Sequence, residues 1–149
     1  MKLSQLLSVT LIALFATNAA SATQLPNPDK CPEVYAIQQA GLDRIHLFSD
    51  HTWTASNKRN MYDTNFYWTF VLGSDGEQVE NEENARQKAL REMETLTFAG
   101  GPFYDEAGNT ACLYNSSKIK NALAITPPLN LSLSFRQTNI MLPDFRVTH

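Results

Sequence analysis

Asp43, His46, Asp50 and His51 lie close together, and no other stretch of this chain offers comparable material for metal binding or acid–base chemistry. Imidazole changes charge near neutral pH and is a common metal ligand. The spacing matches no established zinc or hydrolase motif, and a metal site needs three or four convergent ligands. His46 and His51 are expected on different parts of a hairpin, so a solvated or hydrogen-bonded role is the simpler reading. His149 is terminal and supports no such argument. Serine chemistry has even less support. There is no G-x-S-x-G elbow and no recognisable Ser-His-Asp order. Asp105 and Glu106 are adjacent, and adjacent strand residues point to opposite faces. Gly100-Gly101-Pro102 does not open a helix, so it is not a phosphate cradle. No catalytic residue, metal ligand or cofactor is assigned. The candidate binding residues are aromatic: Trp53, Tyr62 and Tyr67, with Tyr104 as a further member. Aromatic side chains also supply much of a small core, so packing is the competing role for each.

The elements that position these residues begin after a leader. Met1-Lys2 gives a short positive start, and Leu6 to Ala16 is an apolar run of signal-peptide length. That run is too short to cross about 30 Å of hydrocarbon. Ala20-Ser21-Ala22 is a small-x-small cleavage pattern, so residues 1–22 are expected to be a signal peptide removed before Thr23. No Cys stands there for a lipid anchor, and no second spanning run follows. Taking 22 from 149 residues leaves 127, expected to form one α+β domain over 23–149. Removing Lys2 leaves 11 basic against 15 acidic residues, a net charge of −4, with no basic block. Nucleic acid is therefore a poor partner.

Cys31 and Cys112 are the two cysteines, and in an oxidising compartment they most simply form one disulfide. Neither lies in a CxxC motif or beside an obvious base, so a reactive thiol is the weaker reading. Thr23 to Lys30 reads as an extended arm. Pro32 and Glu33 suit a helix start, Val34, Ile37 and Ala40 share a face, and Gly41 stops the helix. Leu42 to Phe48 is expected as a strand, His51 to Ala55 as extended chain, and Ser56 to Asp63 as a polar hairpin connection. Asn65 to Leu72 returns as a strand apolar on both faces, near the middle of a sheet. Ala85, Ala89, Met93 and Leu96 mark a helix over Asn81 to Leu96, with Glu82 and Arg86 as i,i+4 partners on a solvated face. Gly100-Gly101-Pro102 ends that unit. Phe103 to Glu106 and Thr110 to Tyr114 flank a hairpin turn. Asn121 to Thr126 is apolar, and Leu129, Leu131, Leu133 and Phe135 alternate with polar residues as a strand with one wet face. Gln137 to His149 reads as a tail. Asn115-Ser116-Ser117 and Asn130-Leu131-Ser132 match the N-glycosylation pattern, which matters only in a eukaryotic secretory pathway. The expected architecture is an antiparallel sheet of five to six strands carrying two helices and one disulfide.

The leader, Cys31-Pro32-Glu33-Val34 with Ile37-Gln38-Gln39-Ala40-Gly41-Leu42, and the Trp68 strand form a pattern. The charged helix to Leu96, Gly101-Pro102 and Cys112-Leu113-Tyr114 complete it. The whole resembles a family of small uncharacterised exported proteins of legionella-type intracellular bacteria. The resemblance covers most of the mature chain and rests on structural motifs. It implies Sec-dependent export and leaves onward secretion and a role in host interaction open; it supplies no catalytic residue. The expected function is non-enzymatic binding of a protein, or of an envelope or host ligand, in the periplasm or outside the cell. Its surface would lie around the 50s loop and the aromatic strand faces. The alternatives are a small hydrolase or metal-dependent enzyme using the Asp/His cluster, and a periplasmic inhibitor or chaperone-like module.

Overall fold

The computed structural model describes residues 26–128 apart from 75 and 121. The expected leader, the alternating run from Leu129 and the tail lie outside the described residues. Helix α1 (Val34–Ala40) leads into β1 (Arg44–Leu47), β2 (Trp53–Asn60) and β3 (Trp68–Gly73), and α2 (Glu82–Glu94) precedes β4 (Thr97–Tyr104), β5 (Thr110–Asn115) and β6 (Ala122–Thr126). The six strands form one antiparallel sheet in the order β1-β2-β3-β6-β5-β4. The fold is α+β, with both helices on one face.

Strand alternation decides what each face presents. Trp53, Ala55, Trp68, Phe70, Leu72, Cys112, Tyr114 and Ala124 point toward the helices and form the main core with Ala36, Ile37, Ala85, Ala89 and Met93. All six residues of β3 are buried, as expected for a strand inside the sheet. That strand begins at Trp68 because Thr64 shapes the turn before it. The Thr64 hydroxyl accepts from the Phe66 amide at 3.2 Å and from the Trp68 indole at 3.0 Å. α2 starts where expected: Asn81 caps it by accepting from the Asn84 amide at 2.9 Å, and Glu82 and Glu83 complement the helix dipole. The ion pair on this helix differs from the expected one. Lys88 Nζ meets Glu77 at 2.6 Å, off the helix, and Glu82–Arg86 does not form.

Two boundaries depart from the sequence reading for physical reasons. Ser56 to Asn60, expected as a connection, continues β2 and pairs with β3 as far as Trp68. Its polar side chains have work inside the protein. Asn57 is buried and donates to the carbonyls of Ala40 at 3.3 Å and Gly41 at 3.1 Å, which satisfies the end of α1. Gly100-Gly101-Pro102, expected as a terminator, lies inside β4 at an irregularity in its pairing with β5.

The Cys31–Cys112 disulfide is present, with Cα atoms 5.8 Å apart. It ties the N-terminal arm to β5, and two tyrosines reinforce it. Tyr114 donates to the Pro32 carbonyl at 2.7 Å and Tyr104 to the Pro28 carbonyl at 2.9 Å. Burial, with Glu33 nearby, pushes the Tyr114 hydroxyl above its ordinary pKa, so it stays a donor. Among the described residues no helix is long and apolar enough to cross a membrane.

Candidate functional site

The Asp43/His46/Asp50/His51 group does not converge. Ile45 and Leu47 of β1 pack toward the core, so His46 points away from the helices, where its ring meets Phe48 edge-on at 4.5 Å. Asp50 shapes the following turn by accepting from the Thr52 amide at 3.1 Å and the Thr52 hydroxyl at 2.6 Å. His51 sits at positive φ, 64°. Its Nδ1 lies 3.1 Å from the Val79 carbonyl, and the Val79 amide donates back to the His51 carbonyl at 2.9 Å. A carbonyl only accepts, so Nδ1 carries the proton and Nε2 is the ring's acceptor. Among the described residues no three His, Cys, Asp or Glu side chains are grouped to hold a metal ion.

The aromatic candidates separate as well. Trp53 and Tyr62 are core residues, 2% and 3% exposed, whereas Tyr67 is 45% exposed. Trp53 and Tyr62 thus take the competing packing role, and Tyr67 is the exposed member of the three. Tyr62 lies deep enough that burial, with Asp43 adding repulsion, pushes its hydroxyl above the ordinary range. Arg59 lies over the Tyr67 ring at 4.3 Å, a cation–π contact that shields one of its faces.

Two concavities flank the segment joining β3 to α2. A cleft of about 800 Å³ is lined by His51, Gln78, Val79, Glu80, Asn84, Gln87, Lys88 and Arg91. A smaller recess of about 180 Å³ is lined by Trp53, Ser74, Glu77, Glu92, Lys118 and Ile119. The Lys88–Glu77 pair contributes one residue to each, so it stands at their border. Hydrogen bonds to the backbone hold the frame: Ser74 N donates to Trp53 O at 2.9 Å, and Gln78 Nε2 to Asp50 O at 2.7 Å. No family model, no curated protein and no solved structure matches this chain. The site must be read from its own chemistry.

Glu92 organises the recess. It is 8% exposed and accepts from the Ser116 hydroxyl at 2.5 Å, the Ser117 hydroxyl at 3.2 Å and the Lys118 amide at 3.1 Å. Burial raises its pKa, but those three donors, with the Lys118 charge nearby, outweigh burial and hold it below the ordinary glutamate range. Glu77 is lowered chiefly by its bond to Lys88. Both carboxylates are thus occupied. Trp53 differs: its buried indole N–H has no partner among the described residues. Lys118 has no carboxylate within ion-pair distance among them either.

Sequence reasoning did not single out Glu92 or Lys118, and it read Ser116 and Ser117 only as part of a glycosylation pattern. The signal for Glu92 was available, since it stands seven residues after Ala85 and three after Ala89, on the buried stripe. A depressed carboxylate stabilises the fold above the ordinary glutamate pKa and loses that contribution as pH falls through its folded value. Glu92→Gln is therefore expected to lower stability at pH 7 by about 2 kcal/mol, because three donors then share one acceptor oxygen. The deficit should shrink toward pH 3, and urea unfolding at both pH values measures it. An equal deficit at both would refute the role given to the ionised carboxylate.

Proposed function

We propose that the protein is exported and non-enzymatic, and that it acts by binding a partner through the cleft and recess that flank the β3–α2 segment. The observation that carries this is the asymmetry of the recess. Its carboxylates are already satisfied, while the Trp53 N–H and the Lys118 ammonium are not. Arg91 along the cleft adds a further donor to these unspent groups. They favour a partner that brings acceptors, such as an acidic protein segment. The recess is smaller than the roughly 300–1,000 Å³ of drug-sized sites, so it fits one side chain of a longer segment. Export rests on the residues of the leader, and a disulfide at the arm suits an oxidising compartment. The likeness to legionella-type exported proteins agrees with that destination. The hydrolase reading has no observation in its favour, because His46 and His51 serve different sides of the sheet.

A synthetic Asp/Glu-rich decapeptide titrated into the mature chain tests the site through tryptophan fluorescence. Saturable binding that weakens with salt is expected, and the double variant Arg91→Ala/Lys118→Ala should bind about tenfold less tightly, each lost charge contact contributing about 0.7 kcal/mol. Unchanged affinity in that variant would refute the site. Export is tested separately by cell fractionation and N-terminal sequencing: a product starting at Thr23 outside the cytoplasm is expected, and uncleaved cytoplasmic protein would refute it.

A further inference from the structure

Trp53 is 2% exposed and lines the recess of about 180 Å³, and its indole N–H has no partner among the described residues. A donor buried this deeply calls for an acceptor. Trp68 shows the contrast, because its indole N–H donates to the Thr64 hydroxyl at 3.0 Å. Acceptor capacity stands on the walls of the same recess. A carboxylate has about four lone-pair positions. Among the described residues the donor to Glu77 is Lys88 Nζ, at 2.6 Å, which leaves Glu77 room for a second donor. The recess therefore presents both an unspent donor and a spare acceptor.

Charge narrows the choice of ligand further. Glu77, Glu92 and Lys118 line the recess and Lys88 joins them through its ion pair, so two negative and two positive charges meet there. An incoming carboxylate would add an uncompensated charge and bring acceptors alone. An ammonium or guanidinium would bring donors alone, and an aliphatic side chain neither. A hydroxyl offers both on one oxygen, whereas a carboxamide offers them on two atoms, as two separate walls require. It is also neutral. Water leaves a polar recess without loss of affinity only where the incoming group reproduces its hydrogen bonds. We propose that the recess is a specificity pocket for a glutamine or asparagine side chain, its oxygen on the Trp53 N–H and its NH2 on Glu77. The proposal rests on the partner-binding reading above: the side chain belongs to an acidic segment whose carboxylates lie in the open cleft, on the side of Arg91.

The test compares three decapeptides of aspartate and glutamate that differ only at the fifth residue, which is glutamine, glutamate or leucine. Each is titrated into the isotope-labelled mature chain while the indole N–H resonances of Trp53 and Trp68, the chain's two tryptophans, are followed. The glutamine peptide should bind about fivefold more tightly than the other two, the gain from one satisfied buried donor. It should move the Trp53 resonance downfield and leave that of Trp68, held by Thr64, in place. In Trp53→Phe, which removes the N–H and keeps an aromatic ring, the three affinities should converge. Equal affinities in wild type, or a Trp53 resonance that ignores the glutamine peptide, would overturn the proposal and leave the cleft reading standing. A glutamine preference that persists in Trp53→Phe would also overturn it. Binding of none of the three would overturn the cleft reading and the proposal together. Should Trp53→Phe fail to fold, the wild-type affinities and resonances decide alone.

Discussion

Replacing Cys31 and Cys112 together by alanine is expected to lower the unfolding free energy by about 4 kcal/mol, because the bridge closes a loop of some 80 residues in the unfolded chain. For a chain of this size the melting temperature should drop by roughly 15 °C. Guanidinium unfolding of wild type with and without reductant measures the same quantity, and reduced wild type should superimpose on the variant. A loss below about 1 kcal/mol would mean that the unfolded chain is already constrained, or that the arm contributes little. The hydroxyls of Tyr104 and Tyr114 set the lower bound on what survives, since they hold Pro28 and Pro32 without the sulfurs.

Gly101→Ala is the second large effect, and it probes the same corner from the opposite side. Gly101 has φ 123°, a region that L side chains rarely adopt. A Cβ there would meet the Ala111 carbonyl oxygen at 3.0 Å, Cys31 Sγ at 3.0 Å and Cys112 Cα at 3.1 Å. The oxygen and the Cα belong to the backbone of β5 and cannot swing aside. Backbone strain and overpacking together should destabilise by about 3–4 kcal/mol. The two perturbations share an atom, so they should not add. In a Cys31→Ala/Cys112→Ala background the alanine at 101 should cost about 1 kcal/mol less than in wild type, a coupling that a double-mutant cycle reads directly. Strict additivity would show that the disulfide and the irregular part of β4 are independent.

How much of the molecule was legible in the sequence depends on how local each signal is. The stripe of Ala85, Ala89 and Met93 located α2, and the aromatic run around Trp68 located the buried strand, because both depend on periodicity within one element. The disulfide came from the cysteine count alone. Ser56 to Asn60 was misread because polarity signals water only when the polar groups lack an internal partner, and Asn57 has one in α1. Gly100-Gly101-Pro102 was misread because a glycine that lets two chains approach looks identical, in sequence, to one that ends an element. The site fared worst. Trp53 was singled out, but as a surface aromatic; its companions Glu77, Glu92 and Lys118 are drawn from three segments that only the tertiary fold assembles. Glu92 alone among them carried a local clue, through its position on the buried side of α2.

The strand order has a consequence for timing. β1, β2 and β3 form one meander, and β4 with β5 a separate hairpin, and neither sub-sheet hydrogen-bonds to the other. β6 joins them, pairing with β3 on one side and β5 on the other. A ribosome delivers Ala122–Thr126 last among these strands, so the sheet cannot close until all six have been made. Contacts this distant in sequence are formed slowly. A chain built this way keeps its sheet open until β6 emerges.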